Sequence, residues 1–269
     1  RRLTEGGFME KRLFVGSDLH CGHLVGLTHP DYQISWNNAS RGRYGIVQRE
    51  LWKFFYDEVT KNGPYDGGLF VGDLIEGSGT RSGGSELITT DRIEQCKIAV
   101  DCLKVIPFKK GAKKYIQRGT PYHVGVCEEF EDIIAKEIKA DKIENHGYYS
   151  CEKAVISAKH HIGSAYSPLS DGTPLLREYT WAQKWALDYG FPLPTVIIRA
   201  HVHNFTVVQK LSCLMFTLPA LQGLGSKFGS KLCSRTVDFG FCELIINDDQ
   251  VKVIPHIIKG VQVPEIDEL

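Results

Sequence analysis

The sequence predicts an α/β fold in which two sheets pack face to face and helices lie outside them. Strand-like and helix-like patterns alternate through the first half of the chain, which is typical of a sheet with parallel strands. From Tyr148 onward the patterns are mostly strand-like, with one clear helix among them. No repeat and no low-complexity linker interrupts the 269 residues, so we expect one domain over residues 9–269.

In the first half, three strands and three helices follow from hydrophobic periodicity. The predicted strands are residues 12–17, "GGLFVGD" ending at Asp73, and "KKYIQRG". A break at "NGP" ends the first helix, and Thr89, Thr90 and Asp91 are N-cap candidates for the second. The apolar residues that mark the helices are Val47, Leu51, Phe54, Phe55 and Val59 in the first, Ile93, Cys96, Val100 and Leu103 in the second, and Phe130, Ile133, Ile134 and Ile138 in the third.

In the second half, one helix stands among strands. It begins after an N-cap at Thr173 followed by Pro174 and runs to about Asp188. Four long polar segments, residues 22–44, 77–90, 163–172 and 223–230, are predicted loops over a site, because such loops usually carry function.

The charge balance of the chain predicts no overall attraction to polyanions, although a local basic groove stays open. Lys+Arg and Asp+Glu balance at 32 each, so no overall positive field attracts nucleic acid or an anionic membrane. The sequence contains no apolar run of membrane-spanning length. The eight cysteines form no C-x-x-C pair, which indicates reduced thiols in a cytoplasmic protein. Met9 is the expected natural start, with residues 1–8 a non-native extension.

Four apolar, strand-like runs end abruptly in metal-binding residue types. The carboxyl ends of strands in α/β sheets face a common crevice, so these side chains should converge. Alternate residues of an extended segment point the same way, which lets each Asp-x-His or His-x-His pair offer two ligands. Imidazole together with carboxylate suits zinc, manganese or iron better than calcium. The residues are Asp18 and His20, Asp73, His160 and His161, and His201 and His203.

In order, the blocks "D-x-H", "G-D", "G-T-P-Y-H", "H-H" and "H-V-H" resemble the signature of the calcineurin-like metallophosphoesterases. The resemblance runs from about Leu13 to His203, and "SDLHCGH", "RGTPYHVG" and "HHIGS" are most similar to members from bacteriophages and bacteria. It implies a four-layer α/β/β/α sandwich of two central mixed sheets flanked by helices. It also implies phosphate-ester hydrolysis with two divalent ions, manganese being expected and iron, zinc or nickel the alternatives.

The resemblance also implies a role for each block. Asp18, His20 and His203 would hold the first ion and Asp73 would bridge both, while His201 and His160 would hold the second. His161 is the alternative to His160. The family's Asn ligand is replaced by Thr120, and its following His is displaced to His123. Either Thr120 ligates the second ion or His123 does so instead. The family role for this His, which we expect for His123, is stabilising or protonating the leaving oxygen.

Several residues are candidates for contact with the substrate. Arg81 and His23 are the predicted substrate-binding residues, with Lys227 as a further phosphate contact and Tyr166 and Phe228 as rings that could stack on a base. Cys21 lies within the first block, but a free cysteine is more often a small apolar residue than a ligand.

The favoured activity is that of a phosphodiesterase or nuclease-like enzyme. "DLHCG" is similar to the repair nucleases of the superfamily, whereas "GDLIEGSG" lacks the Arg that phosphoprotein phosphatases carry after the second acidic residue. The alternatives are a phosphomonoesterase or protein phosphatase, or a metal-binding scaffold with little activity. The expected partner is a phosphate ester, whether nucleotide or nucleic acid, and not a membrane; the sequence leaves the oligomeric state open.

Overall fold

The structure, a computed structural model, describes residues 10–125, 129–165, 167–224, 237–248 and 250–259. Eleven strands lie in these ranges: β1 (Lys11–Gly16), β2 (Tyr65–Val71), β3 (Phe108–Gln117), β4 (Lys142–Glu144), β5 (His146–Cys151), β6 (Ala154–Lys159), β7 (Val196–Arg199), β8 (Thr206–Lys210), β9 (Cys213–Thr217), β10 (Phe239–Asn247) and β11 (Gln250–Ile258). The α-helices are α1 (Gly42–Asn62), α2 (Arg92–Lys104), α3 (Pro121–Val124), α4 (Phe130–Glu137) and α5 (Thr173–Tyr189). Short 3₁₀ turns lie at Pro30–Tyr32, Thr80–Ser82 and Pro168–Ser170.

The strands form two mixed sheets. The first has the order β11-β10-β1-β2-β3-β4, with parallel pairing from β1 to β4 and antiparallel pairing of β10 with β1 and with β11. The second has the order β5-β6-β7-β9-β8, with β6, β7 and β9 parallel. Because the central strands of each sheet are parallel, their carboxyl ends share one edge.

Alternation along the strands builds four layers. In β1, Phe14 packs among the residues of α1, α2 and α4, whereas Val15 packs against the second sheet. In β7, Ile198 faces the first sheet and Ile197 packs under α5. These successive residues point to opposite faces because the side-chain period of a strand is two. The chain therefore has the predicted α/β/β/α sandwich, with helices outside both sheets.

Most sequence-predicted elements are confirmed, but several boundaries differ; β3, for example, begins at Phe108, ahead of the predicted "KKYIQRG". Asp91 is the N-cap of α2, where its side chain accepts hydrogen bonds from the amides of Ile93 and Glu94. α1 begins at Gly42, so the predicted loop over residues 22–44 is shorter. Gly172, rather than Thr173, is the N-cap of α5, because the Gly172 carbonyl already accepts the first helical bond from the Leu176 amide. Of the predicted loop over residues 223–230, only residues 223–224 are described.

Two further observations concern the chain as a whole. No helix in the described ranges has the length and apolar character needed to cross a bilayer. Cys21, Cys96, Cys102, Cys213 and Cys242 are buried free thiols, and Cys151 is half-buried. Cys127 and Cys233 lie outside the described residues.

A buried ion pair joins α5 to the second sheet. Arg199 is 0% exposed, and its Nε and Nη2 atoms both lie 2.8 Å from Oε2 of Glu178. The carbonyl of Ser157 accepts a further hydrogen bond from Arg199 at 3.1 Å. Since a buried guanidinium without its carboxylate is costly, Glu178 offsets the burial of this charge.

We expect Glu178→Ala to lower the free energy of unfolding by about 3 kcal/mol, because it leaves Arg199 buried and unpaired. Urea denaturation measures this change. The matched control is Asp188→Ala on the same helix, which removes an exposed pair with Lys184 and should cost less than about 0.5 kcal/mol. Equal losses in the two variants would contradict the prediction.

Candidate metal centre

Four strand ends deliver side chains to one edge of the sandwich. β1 leads to Asp18 and His20, β2 to Asp73, β6 to His160, and β7 to His201 with His203 two residues later. Asp18, His20, Asp73 and His160 are 0–2% exposed, whereas His201 and His203 are half-buried. The predicted convergence of the four motifs is observed in the structure.

The first cluster comprises Asp18, His20 and His203. Nε2 of His203 lies 3.2 Å from Oδ1 of Asp18 and 3.3 Å from Nε2 of His20. Nε2 of His20 lies 3.7 Å from the same carboxylate oxygen. One carboxylate and two imidazoles thus present their ligand atoms within a few ångströms of one another.

The second cluster comprises Asp73, His160 and His201. Nε2 of His160 lies 2.9 Å from Oδ2 of Asp73 and 3.9 Å from Oδ1 of Asp18, the oxygen that the first cluster surrounds. The two clusters are therefore neighbours that meet at Asp18. His161 is exposed and its ring lies against that of His201 at 4.9 Å, so the structure brings His160 rather than His161 into the cluster.

The donor set fits divalent metal ions. Oδ1 of Asp18 and Nε2 of His160 are buried and make no well-aligned hydrogen bond among the described residues, although each lies close to a ligand-type atom of the clusters. The far nitrogen of each buried imidazole is already engaged: Nδ1 of His160 donates to the Val71 carbonyl at 2.6 Å, and Nδ1 of His20 lies 2.8 Å from Oε2 of Glu76. Metal-ligating histidines are held in this way, with Nε2 left for the ion.

The carboxylates and imidazoles of the clusters strongly perturb one another. Burial lowers the pKa of His20, but Asp18 and Glu76 outweigh it and raise that pKa to about 10. Burial likewise lowers the pKa of His160, and Asp73 and Asp18 raise it to about 10. Burial raises the pKa of Asp18, but His203 and His160 hold it well below its usual value. A bound divalent ion would displace these protons, because ligating imidazole is neutral.

Backbone conformation also distinguishes the candidate ligands. Nine non-glycine residues in the described ranges have positive φ, and five of them are Asp18, His20, Asp73, His201 and His203, with φ between 44° and 72°. Such conformations cost about 1–3 kcal/mol each and cluster at functional sites. Asp and His adopt them more readily than most residues. The fold thus holds these five side chains in strained turns at the strand ends.

Hydrogen bonds between loops fix the turns against one another. The amides of Asp18 and His20 donate to the carbonyls of Gly72 and Asp73 at 2.9 and 3.1 Å, which ties the end of β1 to that of β2. Across the two sheets, the His201 amide donates to Oδ2 of Asp18 at 3.2 Å. These contacts join both clusters into one rigid arrangement.

Thr120 lies beside Asp73. Its amide and hydroxyl both donate to Oδ1 of Asp73, at 2.6 and 3.1 Å. A Cβ atom at the preceding Gly119 would lie 2.1 Å from the same oxygen, so this approach requires glycine. Thr120 therefore orients the Asp73 carboxylate, while its direct ligation of an ion stays a prediction.

His123 reaches the centre despite its displacement along the sequence. Its ring lies edge-on to that of His20 at 4.5 Å, and its Nδ1 donates to the Glu76 carbonyl at 2.7 Å. This hydrogen bond leaves Nε2 as the available nitrogen. Burial and the nearby charge of His20 lower the pKa of His123.

Glu76 was not among the predicted site residues. Its carboxylate lies 2.8 Å from Nδ1 of His20 and 3.6 Å from Nδ1 of His123, so the three form a third group of metal-ligating types. The short His20 contact is that of a hydrogen bond that orients a ligand. The sequence signal for Glu76 is the acidic residue of "GDLIEG", three positions after Asp73.

The predicted substrate-binding residues have different surroundings. The guanidinium of Arg81 lies 4.7 Å from the ring centroid of Tyr122, and the Arg81 amide donates to the Tyr122 hydroxyl at 2.8 Å. Tyr122 in turn lies edge-on to His123 at 4.7 Å.

His23 is only 3% exposed and its Nδ1 accepts from the Val25 amide, so it offers a substrate little surface. Cys21 donates to the Leu27 carbonyl instead. Tyr166, Lys227 and Phe228 lie outside the described residues.

No family model and no curated protein sequence matches the chain. Solved structures similar to it include wild-type Vps29 of Entamoeba histolytica complexed with zinc, at 11% identity and a TM-score of 0.42, covering 91% of this chain and 99% of that one. A predicted phosphoesterase of Streptococcus pneumoniae is 9% identical with a TM-score of 0.40, covering 94% and 95% of the two chains. A novel archaeal phosphodiesterase is 9% identical with a TM-score of 0.43, covering 91% and 99%.

Proposed function

We propose that this chain is a metal-dependent phosphoesterase that hydrolyses phosphate esters at a dinuclear centre, and that phosphodiesters are its preferred substrates. The observation that carries the proposal is the pair of adjacent Asp and His clusters, which meet at a buried oxygen of Asp18 that three imidazole nitrogens approach at 3.2, 3.7 and 3.9 Å. The ordered sequence blocks support membership of the calcineurin-like metallophosphoesterases, of the type found in bacteriophages and bacteria. Reduced thiols support a cytoplasmic location.

In this proposal the first cluster holds one divalent ion and the second cluster another, with manganese the first candidate. Bound there, the ions would supply Lewis-acid stabilisation of the phosphate and lower the pKa of water. Asp18 or Asp73 would contact both ions, since Asp18 lies between the clusters and Asp73 is the residue that the sequence resemblance assigns to bridging. Thr120 holds the Asp73 carboxylate in place.

Residues around the two clusters would contact the leaving oxygen and a phosphate oxygen of the ester. His123, fixed through Nδ1 by the Glu76 carbonyl, presents Nε2 for a hydrogen bond to the leaving oxygen. Arg81, held over the Tyr122 ring next to His123, supplies a positive charge for a phosphate oxygen. Glu76 orients both His20 and His123. A nucleotide or nucleic acid is the substrate class we favour, because the first block is similar to that of repair nucleases.

We expect bis(p-nitrophenyl) phosphate to be hydrolysed with at least about a tenfold higher kcat/KM than p-nitrophenyl phosphate, a difference of about 1.4 kcal/mol. A monoester dianion needs more positive charge than a diester, and "GDLIEG" lacks the Arg of the phosphoprotein phosphatases. Initial rates with added manganese, and with a chelator as the control, measure this preference.

Three outcomes of this assay would count against parts of the proposal. Faster hydrolysis of the monoester would overturn the diester preference. Undiminished rates in the presence of chelator would contradict metal dependence. Turnover of neither ester, with manganese shown to be bound, would favour the metal-binding scaffold.

A further inference from the structure

A buried glutamate lies directly behind the second cluster. Glu131 stands in the first turn of α4 and is 0% exposed. Its Oε1 accepts a hydrogen bond from the Leu74 amide at 3.0 Å, and its Oε2 accepts one from the Gly119 amide at 2.8 Å. Leu74 follows Asp73 and Gly119 precedes Thr120 in the sequence. Each carboxylate oxygen of Glu131 therefore holds one of the two loops that meet at Asp73.

These contacts close a ring of hydrogen bonds. Leu74, which follows Asp73 in the sequence, donates its amide hydrogen to Glu131. Gly119, which precedes Thr120, also donates its amide hydrogen to Glu131. Thr120 then donates from both its amide and its hydroxyl to Oδ1 of Asp73. The ring joins the end of β2 to the end of β3 through a residue on a helix. Its geometry sets where the Asp73 carboxylate lies.

The environment of Glu131 argues against an ordinary structural ion pair. Among the described residues no Lys or Arg acts on the Glu131 carboxyl group, and its burial raises the pKa to about 7. Burying a carboxylate without a cation is costly, so the two amide hydrogen bonds are its compensation. On the same helix, Asp132 is instead paired with Arg118, and Glu137 is exposed.

We propose that Glu131 is a positioning residue of the metal centre. Its two hydrogen bonds hold the loops of Asp73 and Thr120 together, and this fixes the Asp73 carboxylate in the position in which it can bind a divalent ion. The inference rests on the proposed function, because it concerns metal affinity at the second cluster. A residue with a merely structural role would alter the stability of the fold and leave metal affinity unchanged. Residues that hold ligands in place typically contribute 10- to 100-fold to metal affinity.

The test compares manganese binding by wild type, Glu131→Gln and Glu137→Gln, measured by isothermal titration calorimetry at one pH. Glutamine preserves the shape of the side chain but places an amide group opposite one of the two backbone N–H donors, which opens the ring. We expect the dissociation constant at the weaker site to rise roughly 10- to 100-fold in Glu131→Gln. Glu137→Gln, the same change at an exposed position of α4, should bind as wild type does.

Thermal unfolding without metal is measured in parallel to separate the two roles. If Glu131→Gln is less stable but binds manganese with unchanged affinity, the inference is overturned and Glu131 only supports the fold. If wild type itself binds no manganese, the proposed function fails first. Should Glu131→Gln not fold, Glu131→Asp keeps the charge on a shorter side chain that cannot hold both loops, and unchanged affinity in that variant likewise overturns the inference.

Discussion

Asp73→Asn is expected to lower turnover of a phosphodiester by roughly a thousandfold and to reduce the amount of bound metal. Asparagine can still accept the hydrogen bonds from Thr120 through its carbonyl oxygen, so the loops keep their arrangement. Its amide group, however, replaces the oxygen that lies 2.9 Å from Nε2 of His160. Losing about 4 kcal/mol of stabilisation by the ions corresponds to that factor.

Metal content and initial rates are measured together for this variant. Asp57→Asn is the control, since the Asp57 side chain forms an exposed pair with Lys53 on α1. Because Asp73 is the predicted bridging ligand, both ions should bind more weakly. If Asp73→Asn binds as much metal as the wild type and is equally active, Asp73 is not a metal ligand. Loss of one ion alone would show that Asp73 holds a single ion, and the bridging prediction would be wrong.

His123→Ala is expected to lower turnover by roughly a hundredfold to ten-thousandfold while metal binding is retained. The ring is anchored by its bond to the Glu76 carbonyl and lies between His20 and Tyr122, outside the two clusters that meet at Asp18. The loss should be smaller for esters of p-nitrophenol, because this leaving group needs little protonation. Rates with activated and unactivated esters therefore distinguish a leaving-group role from others.

The comparison for His123 is with His29→Ala, which removes a half-buried ring that packs against Trp52 of α1. That variant should retain its activity and its metal. If His123→Ala instead loses an ion and recovers its rate in excess manganese, His123 is a ligand, and the prediction that it acts on the leaving group is wrong.

The convergence of the Asp and His side chains could be predicted from the sequence because each of them follows a recognisable strand. Asp18 and His20 follow β1, and His201 and His203 follow β7, so the shared carboxyl edge of parallel strands was enough to bring them together. The two packed sheets with helices outside followed from the succession of strand-like and helix-like segments, and the four-layer order followed from the family resemblance.

The supporting residues could not be predicted in this way. Glu131 meets Leu74 across 57 positions of the chain, and its role depends on the distance from α4 to two loops. Tyr122 joins Arg81 to His123 only after folding brings residues 41 positions apart into contact. No local periodicity encodes such contacts. Thr173 was predicted as the N-cap but lies inside α5. The N-cap preference of Thr does not show which residue's carbonyl accepts the first helical hydrogen bond, and in α5 that residue is Gly172.

The positive φ angles at the candidate ligands limit which residue types evolution can place at these positions. A β-branched residue at Asp18, His20, Asp73, His201 or His203 would add steric strain to the chemical loss, whereas Asn, Asp and His are tolerated at positive φ. Exchange among these three polar types is therefore the accessible route by which a descendant could change its metal preference. A descendant that abandons the metal altogether would relieve the strain most simply by acquiring glycine at the same five positions.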